Sequence, residues 1–197
     1  LLEDLVSRGL SPNIHRLFTI DGSKSLSKAI VEVFGDKATI QRCQVHKIRN
    51  VLEHLPKSME QIARRRIRKA YLEQNYTDAK QQLFKFIQEL EEDYPPAAKS
   101  LREGLEETLS VHKLNLPGVL RLTLSNTNAL ESMNSVVRTV TARVKNPRSN
   151  KAADWIAAGM KAAENSCRRI RGYKSLSLLY SILNKNKCQI EDARNIA

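Results

Sequence analysis

Two short apolar runs separated by an amphipathic helix constrain the fold of this chain more than any other feature. The first run, His15 to Ile20, is closed by Asp21-Gly22 and is too short for a helix, so it predicts a buried strand. A helical pattern then begins after Ser23 and ends at Gly35, and the second run, Ala38 to Cys43, predicts another strand. A connection of this length favours parallel pairing with a right-handed crossover. The chain therefore starts as α/β, with Asp21 at a strand tip.

Helical periodicity dominates the rest of the sequence. An opening helix precedes the first strand, and apolar residues repeat with a period near 3.6 from Ile48 to Leu116. Within that block, leucines at every fourth position predict one helix from Ala97 to Leu109. A further helix is predicted to start near Asn128, and two more cover about 152–170 and 173–183. The prediction is a predominantly helical α/β protein.

The charge of the chain points toward a polyanionic partner. Lys and Arg total 33 against 21 Asp and Glu, which gives a net charge of +12. Nucleic acid is the first candidate, and a solubility role for the excess charge is the alternative. The arginine run in the central block is either a solvated helix face or a phosphate contact. The candidate DNA contacts are Arg64, Arg65, Arg68, Arg138, Lys145 and Arg148.

Cysteine usage and hydropathy favour a soluble intracellular protein. The three cysteines are odd in number and far apart, which is typical of reduced thiols rather than of a disulfide framework. The sequence contains neither a signal-peptide pattern nor an apolar stretch of 18 residues. We therefore predict no membrane partner.

Two carboxylates have both a local and a functional interpretation. Asp21 projects from a strand end beside a glycine, which suits a divalent metal, but Asp-Gly is also a common turn pair. Glu131 lies three residues after Asn128, so with Asn128 as N-cap it completes a capping-box variant. Taken singly, the local sequence favours a turn residue and a helix cap.

Cys43 and His46 have ligand types at a spacing usable for zinc. A structural zinc site needs about four ligands. The sequence shows no second pair at such a spacing. A buried cysteine next to a hydrogen-bonded histidine is therefore the preferred interpretation.

Taken together, three segments resemble the catalytic core of the Mutator-type insertion-sequence transposases. The resemblance is carried by their order, by the Cys-x-x-His motif, and by the 22-residue and 110-residue steps from Asp21 to Cys43 and to Glu131. The segments are Ile20–Lys24 (IDGSK), Gln41–Leu52 (QRCQVHKIRNVL) and Thr127–Asn134 (TNALESMN).

The resemblance implies a DDE transposase with an RNase H-like fold. It makes Asp21 the second and Glu131 the third catalytic carboxylate, with Cys43 and His46 a family motif near the active site. It implies that these carboxylates bind Mg²⁺ (or Mn²⁺), with two ions activating the nucleophile and stabilising the leaving oxygen in DNA strand cleavage and joining. It also implies DNA partners, namely transposon ends and target, and a homo-oligomer on DNA.

The family's first Asp belongs on an earlier strand, and only twenty residues precede Asp21. Together with a start at Leu1 rather than Met, this leads us to expect a C-terminal part of a transposase, with an incomplete metal site and no activity of its own. The predicted fold is the C-terminal half of an RNase H-like core with an all-helical insertion. The expected parts are 1–50 with Asp21, 51–125 as the insertion, and 126–197 with the catalytic Glu helix.

Two other functions stay open at this stage. One is a catalytically incomplete DNA-binding remnant or regulator of transposition, which the charge favours. The other is a helical interaction protein in which the Asp and the Glu occur by chance.

Overall fold

A computed structural model of the protein describes residues 1–142 and 151–184. These residues form two compact units, one of residues 1–126 and 172–184, the other of residues 127–142 and 151–171. The described part is predominantly helical with one small sheet, which confirms the helical α/β class.

The first unit starts with the predicted strand–helix–strand arrangement. Helix α1 (Leu2–Ser7) is followed by β1 (Arg16–Ile20), α2 (Lys24–Phe34), a short 3-10 turn and β2 (Ala38–Arg42). The Ser23 hydroxyl caps α2 by accepting the amide of Leu26, and Gly35 ends the helix with φ of +52°. The strands pair in parallel, with Arg16 opposite Ala38 and Ile20 opposite Arg42, as predicted.

The helical block that follows packs around its own core. Its helices are α3 (Gln44–Leu52), α4 (Lys57–Leu72), α5 (Tyr76–Asp93), α6 (Pro95–Arg102), α7 (Leu105–Thr108), α8 (Ser110–Lys113) and α9 (Gly118–Leu124). Fully buried leucines and isoleucines of α4, α5 and α6 form the centre of this core. Burying each such side chain stabilises the fold by roughly 1.5–3 kcal/mol.

One prediction within this block is wrong. The single helix predicted from Ala97 to Leu109 is broken at Glu103-Gly104, where Gly104 has φ of +65°. The helical block also extends beyond the predicted repeat of Ile48 to Leu116, since α3 begins at Gln44 and α9 follows Pro117. The break at Gly104 is due to contacts made by residues far away in sequence, described below.

A buried arginine secures the end of α4. The buried Arg121 guanidinium donates to the carbonyls of Tyr71 and Glu73 at the end of α4 (3.1 and 2.6 Å), and its Nη1 lies 2.5 Å from His112 Nε2. Because a guanidinium can only donate, His112 accepts and is neutral.

On the surface, the carboxylate of Glu106 pairs with two lysines and a tyrosine. The partners are Lys80 at 2.6 Å, Lys113 at 2.7 Å and the Tyr76 hydroxyl at 2.6 Å.

The second unit is a pair of packed helices, α10 (Asn128–Thr141) and α11 (Ala152–Ser166). Gly159 of α11 allows close approach, since a Cβ there would lie 3.0 Å from Val137 of α10. Helix α11 ends earlier than the predicted residue 170. After this unit, the chain forms a 3-10 turn at Tyr173–Ser175 and is helical over 176–184.

Candidate functional site

Asp21 lies exposed at the carboxyl end of β1. Its Oδ1 accepts the Ser23 amide at 3.1 Å, and Gly22 between them has φ of +103°. The predicted turn role is therefore present, since one carboxylate oxygen closes an Asx-type turn. That bond occupies Oδ1 alone, and Oδ2 has no partner among the described residues, so the same side chain can also serve as a ligand.

Cys43 lies beside Asp21 because the two parallel strands end together. The Cys43 amide donates to the carbonyl of Ile20 at 2.7 Å, which extends the ladder by one residue. Cys43 is fully buried at the N-cap position of α3, and His46 is half-buried in the first turn of that helix. Within residues 1–142 and 151–184, no group of three His, Cys, Asp or Glu side chains could hold a metal ion, so a closed zinc site around Cys43 and His46 lacks ligands there.

Arg42 connects the Asp21 turn to the helical block. Its guanidinium lies between two glycines of positive φ, such that a Cβ on Gly22 would lie 2.4 Å from Nε and a Cβ on Gly104 would lie 2.6 Å from Nη1. Nη1 also donates to the carbonyl of Glu103 at 3.2 Å. The side chain is buried, and its Nε has no hydrogen-bond partner among the described residues. Both glycines are therefore required by a close approach as well as by backbone conformation.

A cavity of about 590 Å³ opens beside this contact. Its rim carries both signs of charge: Lys24 pairs with the Glu103 carboxylate at 2.9 Å, and Arg42 lies 3.8 Å from the same group. The hydrogen bond from Lys24 and the positive charge of Arg42 lower the pKa of Glu103. The cavity therefore has a fixed ion-pair network next to the Asp21 turn.

Lys47 is the least expected polar group of the region. Only 1% of it is exposed, and its Nζ donates to the carbonyls of Ser100 and Glu103, both at 2.6 Å. The ammonium thus caps the C-terminal end of α6, where the helix dipole favours a cation. Burial, and then the charge of Arg42, lower the pKa of Lys47 to about 8.

Neither Arg42 nor Lys47 was predicted from the sequence as a structural centre of this region. The sequence did contain one indication that Lys47 is buried. It lies next to Ile48 and four residues before Val51, on the apolar face of its helix. No comparable pattern marked Arg42, whose burial depends on glycines far away in the sequence.

Two buried glutamines fix the end of β2 to helices α7 and α8. Gln41 Nε2 donates to the carbonyl of Thr108 at 2.9 Å, and Gln41 Oε1 accepts the amide of Val111 at 2.9 Å. Gln44 Nε2 donates to the same Thr108 carbonyl at 2.8 Å. Buried polar groups satisfied in this way define the geometry of the strand end.

Glu131 belongs to the second unit, in the first turn of α10. The N-cap of this helix is Thr127, so the prediction that Asn128 caps it is wrong, and Glu131 sits one position deeper. The Thr127 hydroxyl donates to Glu131 Oε1 at 3.4 Å, and the side chain is half-buried. A negative charge in the first turn is favoured by the helix dipole.

The predicted DNA contacts divide among three places. Arg64, Arg65 and Arg68 lie together on α4, with Arg65 and Arg68 exposed and Arg64 half-buried. Arg138 is exposed on α10 of the second unit. Lys145 and Arg148 lie outside the described residues.

The donors fit magnesium in type. Asp21 and Glu131 offer the hard carboxylate oxygens that this ion prefers. Each unit supplies one of them, and the described residues form no cluster of three such side chains.

None of the described helices is long and apolar enough to cross a membrane.

Comparison with known proteins identifies related sequences over most of the chain. Residues 1–165 match the family model described as "Transposase, Mutator family". The chain is similar to a transposase for insertion sequence element IST2 from Acidithiobacillus ferrooxidans, at 29% identity over 86% of this chain and 55% of the relative. It is also similar to a transposase for insertion sequence element IS6120 from Mycolicibacterium smegmatis, at 30% identity over 91% of this chain and 53% of the relative. The chain spans about half the length of these relatives.

Proposed function

Because the chain belongs to the Mutator family of transposases, we propose that Asp21 and Glu131 are two carboxylates of a DDE site for metal-dependent cleavage and joining of DNA. The corresponding fold is RNase H-like, with residues 1–50 as the second half of its sheet region, 51–125 as a helical insertion, and 126–197 carrying the third carboxylate. Since the chain spans about half of its relatives, the activity is proposed for the longer protein. The biological role is transposition of an insertion sequence.

The position of Asp21 is the observation that best supports this proposal. Parallel strands place ligand-binding residues at their carboxyl ends, and Asp21 follows the last residue of β1. It is exposed, and its neighbour across the sheet is Cys43, from the motif that resembles the family. This strand end is the position at which a parallel sheet is expected to present a metal ligand.

Each residue of the site has a distinct role in the proposed chemistry. Asp21 and Glu131 would hold Mg²⁺ (or Mn²⁺), which when bound supplies Lewis-acid assistance to in-line displacement at a phosphodiester. The Ser23 amide orients Asp21 through Oδ1 and leaves Oδ2 toward solvent. Arg42 supports the turn from behind by packing on Gly22. Cys43 and His46 are proposed as neighbours of the site.

The partners and location are part of the same proposal. DNA, as transposon ends and target, is the substrate, and the protein acts as a homo-oligomer on that DNA in the bacterial cytoplasm, nucleoid-associated when bound. Arg138 of α10 is proposed as a DNA contact near Glu131, from which it is separated by about two helical turns.

The decisive experiment uses the longer protein, with its upstream sequence, and labelled insertion-sequence ends. Asp21→Asn and Glu131→Gln should each abolish Mg²⁺-dependent strand cleavage and joining, by at least about 100-fold, because each removes an anionic ligand. Asp36→Asn and Glu164→Gln serve as matched controls, since both are exposed carboxylates of the same units. Full activity in Asp21→Asn would refute the assignment.

A second candidate function is a DNA-binding regulator without catalysis, favoured by the net charge of +12. It predicts salt-sensitive DNA binding by the chain as it stands, together with competition against the full-length transposase. Asp21→Asn distinguishes the two functions, because a regulator would keep its inhibition of the transposase in this variant, whereas DNA cleavage would be lost.

A further inference from the structure

Helix α4 carries a surface that the proposed metal chemistry does not use. Four cations lie on one side of this helix and line a groove of about 490 Å³ with one amide and one leucine. We call this surface the α4 basic face. Its residues are Gln61, Arg64, Arg65, Arg68, Lys69 and Leu72.

The helical repeat sorts the arginine run of the sequence into two sets. Members of the α4 basic face follow Gln61 by three, four, seven, eight and eleven residues, which places them on one side of a 3.6-residue helix. Arg66, in the middle of the run, points elsewhere: its Nη2 donates to Glu89 Oε1 at 2.8 Å, and its guanidinium stacks over Phe86 at 4.5 Å. Arg66 therefore serves the packing of α4 on α5, and its neighbours in the run do not.

The cations of the α4 basic face have no carboxylate partner within 4.0 Å among the described residues. Elsewhere in the same unit, Lys24, Arg66, Lys80 and Lys113 all pair with glutamates. The single acidic residue of α4, Glu60, lies one turn before Arg64 and forms no ion pair with it. Four adjacent unneutralised charges repel one another, so this arrangement costs stability unless a polyanion binds.

We propose that the α4 basic face binds the phosphate backbone of duplex DNA, independently of base sequence. The four cations lie between Arg64 and Lys69, where the helix axis advances about 7.5 Å at 1.5 Å per residue, which equals about two phosphate steps of one strand at 3.4 Å each. The flexible side chains extend this reach to phosphates on either side. Three of the four cations are arginines, whose planar guanidinium pairs with phosphate through two parallel hydrogen bonds. The exposed apolar side chains here are Leu72 and Ile62, which lies beside Lys69, and two such residues do not form the apolar stripe by which a helix enters a lipid surface.

This surface acts apart from the carboxylate site. It lies in the helical block, and none of its residues lines the cavity beside Asp21. Binding by the α4 basic face therefore does not require the proposed chemistry, and each can fail without the other.

The test measures binding of a labelled duplex of about 30 base pairs to the full chain between 50 and 200 mM salt. Replacing all four cations by glutamine should lower the slope of log Kobs against log salt by about 3.6, at about 0.9 per phosphate contact. Raising the salt from 50 to 200 mM should then weaken the binding of this variant by a factor about 150 times smaller than for the unmodified chain. Arg66→Gln should leave the slope unchanged, and a second duplex of unrelated sequence should give the same slopes.

A charge-matched control separates this surface from net charge. The variant with Lys85, Lys99, Lys151 and Lys174 replaced by glutamine loses the same four charges from exposed positions elsewhere, and none of these lysines forms an ion pair among the described residues. A slope reduction in this control as large as that of the α4 variant would overturn the proposal.

Further variants cover misfolding and a membrane alternative. If the fourfold variant fails to fold, as judged by circular dichroism, the single variants Arg65→Gln and Arg68→Gln should each lower the slope by about 0.9. Unchanged slopes in both would overturn the proposal. The proposal would also be overturned if the fourfold variant lost binding to phosphatidylserine vesicles but kept its binding to the duplex. That result would show that the α4 basic face binds a membrane. Asp21→Asn should keep the slope of the unmodified chain.

Discussion

Gly22 and Gly9 offer a matched pair for measuring how firmly Arg42 holds the Asp21 turn. Their φ angles are +103° and +104°, so an alanine introduces the same kind of backbone strain at either position, on the order of 1–3 kcal/mol. The space around them differs. A Cβ on Gly9 meets no atom within 4 Å, whereas a Cβ on Gly22 would lie 2.4 Å from Arg42 Nε. The difference between Gly22→Ala and Gly9→Ala therefore isolates the contact with Arg42.

The structure gives the size of that difference. Arg42 cannot retreat, because Gly104 packs on the opposite side of its guanidinium. Displacing it breaks the hydrogen bond to the Glu103 carbonyl, and water does not replace that bond because only 7% of the residue is exposed. Hydrogen bonds to charged groups contribute about 1.5–3 kcal/mol, so Gly22→Ala should destabilise by about 2 kcal/mol more than Gly9→Ala.

Urea unfolding followed by circular dichroism at 222 nm measures both variants. The same pair is then repeated in an Arg42→Ala background, where the extra cost of Gly22→Ala should disappear, giving a coupling energy of about 2 kcal/mol. Equal destabilisation by the two alanines in the unmodified chain would show that Arg42 does not support the turn.

Three ionisable groups should each leave a signature in the pH dependence of unfolding. Burial and the neighbouring Arg121 guanidinium lower the pKa of His112 from 6.5 to about 4. The free energy of unfolding should therefore fall by at most about 3 kcal/mol as the pH drops from 6.5 to 4, because the unfolded chain binds a proton there that the folded protein does not. His112→Gln should remove this pH dependence. Burial likewise lowers the pKa of Lys47 from 10.5 to about 8. Between pH 8 and 10.5 the folded protein has lost this proton while the unfolded chain still binds it, so the free energy of unfolding should rise with pH. Lys47→Met should abolish this rise. Hydrogen bonds from two lysines and a tyrosine lower the pKa of Glu106 to about 2, so its contribution is present above pH 4.5 and lost toward pH 2. Because this carboxylate is 48% exposed, the contribution should stay below about 1 kcal/mol, and Glu106→Gln should flatten that part of the profile. Urea midpoints at each pH check all three, and a profile identical to that of the unmodified chain in any variant contradicts the corresponding assignment.

The parts of the fold that local chemistry dictates could be predicted from sequence. Ser23 and Gly35 are residues that start and end a helix, and the run before Asp21 is too short for anything but a strand. The parallel pairing follows from the length of the connection. These features all lie within one strand–helix–strand unit of residues 15–43, which is why the sequence pattern sufficed.

Features that depend on distant residues could not be predicted. The leucine repeat continues through Glu103-Gly104, and this regular pattern outweighed Gly104, the local signal of the break between α6 and α7. The break is stabilised by Arg42 and Lys47, both of which donate to the carbonyl of Glu103 from more than fifty residues away. Sequence patterns also treat charged side chains as solvent-exposed, so the burial of these two cations was not expected.

The candidate site divides in the same way. The turn at Asp21 and its position beside Cys43 follow from strand register, which the sequence specifies. The division of the arginine run between a packing role for Arg66 and a free basic face needed the position of Glu89 on another helix. The catalytic roles of Asp21 and Glu131 stay a prediction for the longer protein.

The carbonyl of Glu103 has a consequence for protein engineering. It accepts hydrogen bonds from Arg42 of β2 and from Lys47 of α3, so the end of α6 supplies acceptors to two buried cations that precede residue 51. A chimera that exchanges residues 51–125 for a helical segment from another protein would leave Arg42 and Lys47 buried without acceptors, at a cost of about 1–3 kcal/mol or more for each. The segment is therefore not a cassette that can be grafted or deleted, and exchanges should begin with sequences that preserve a helix end at this position.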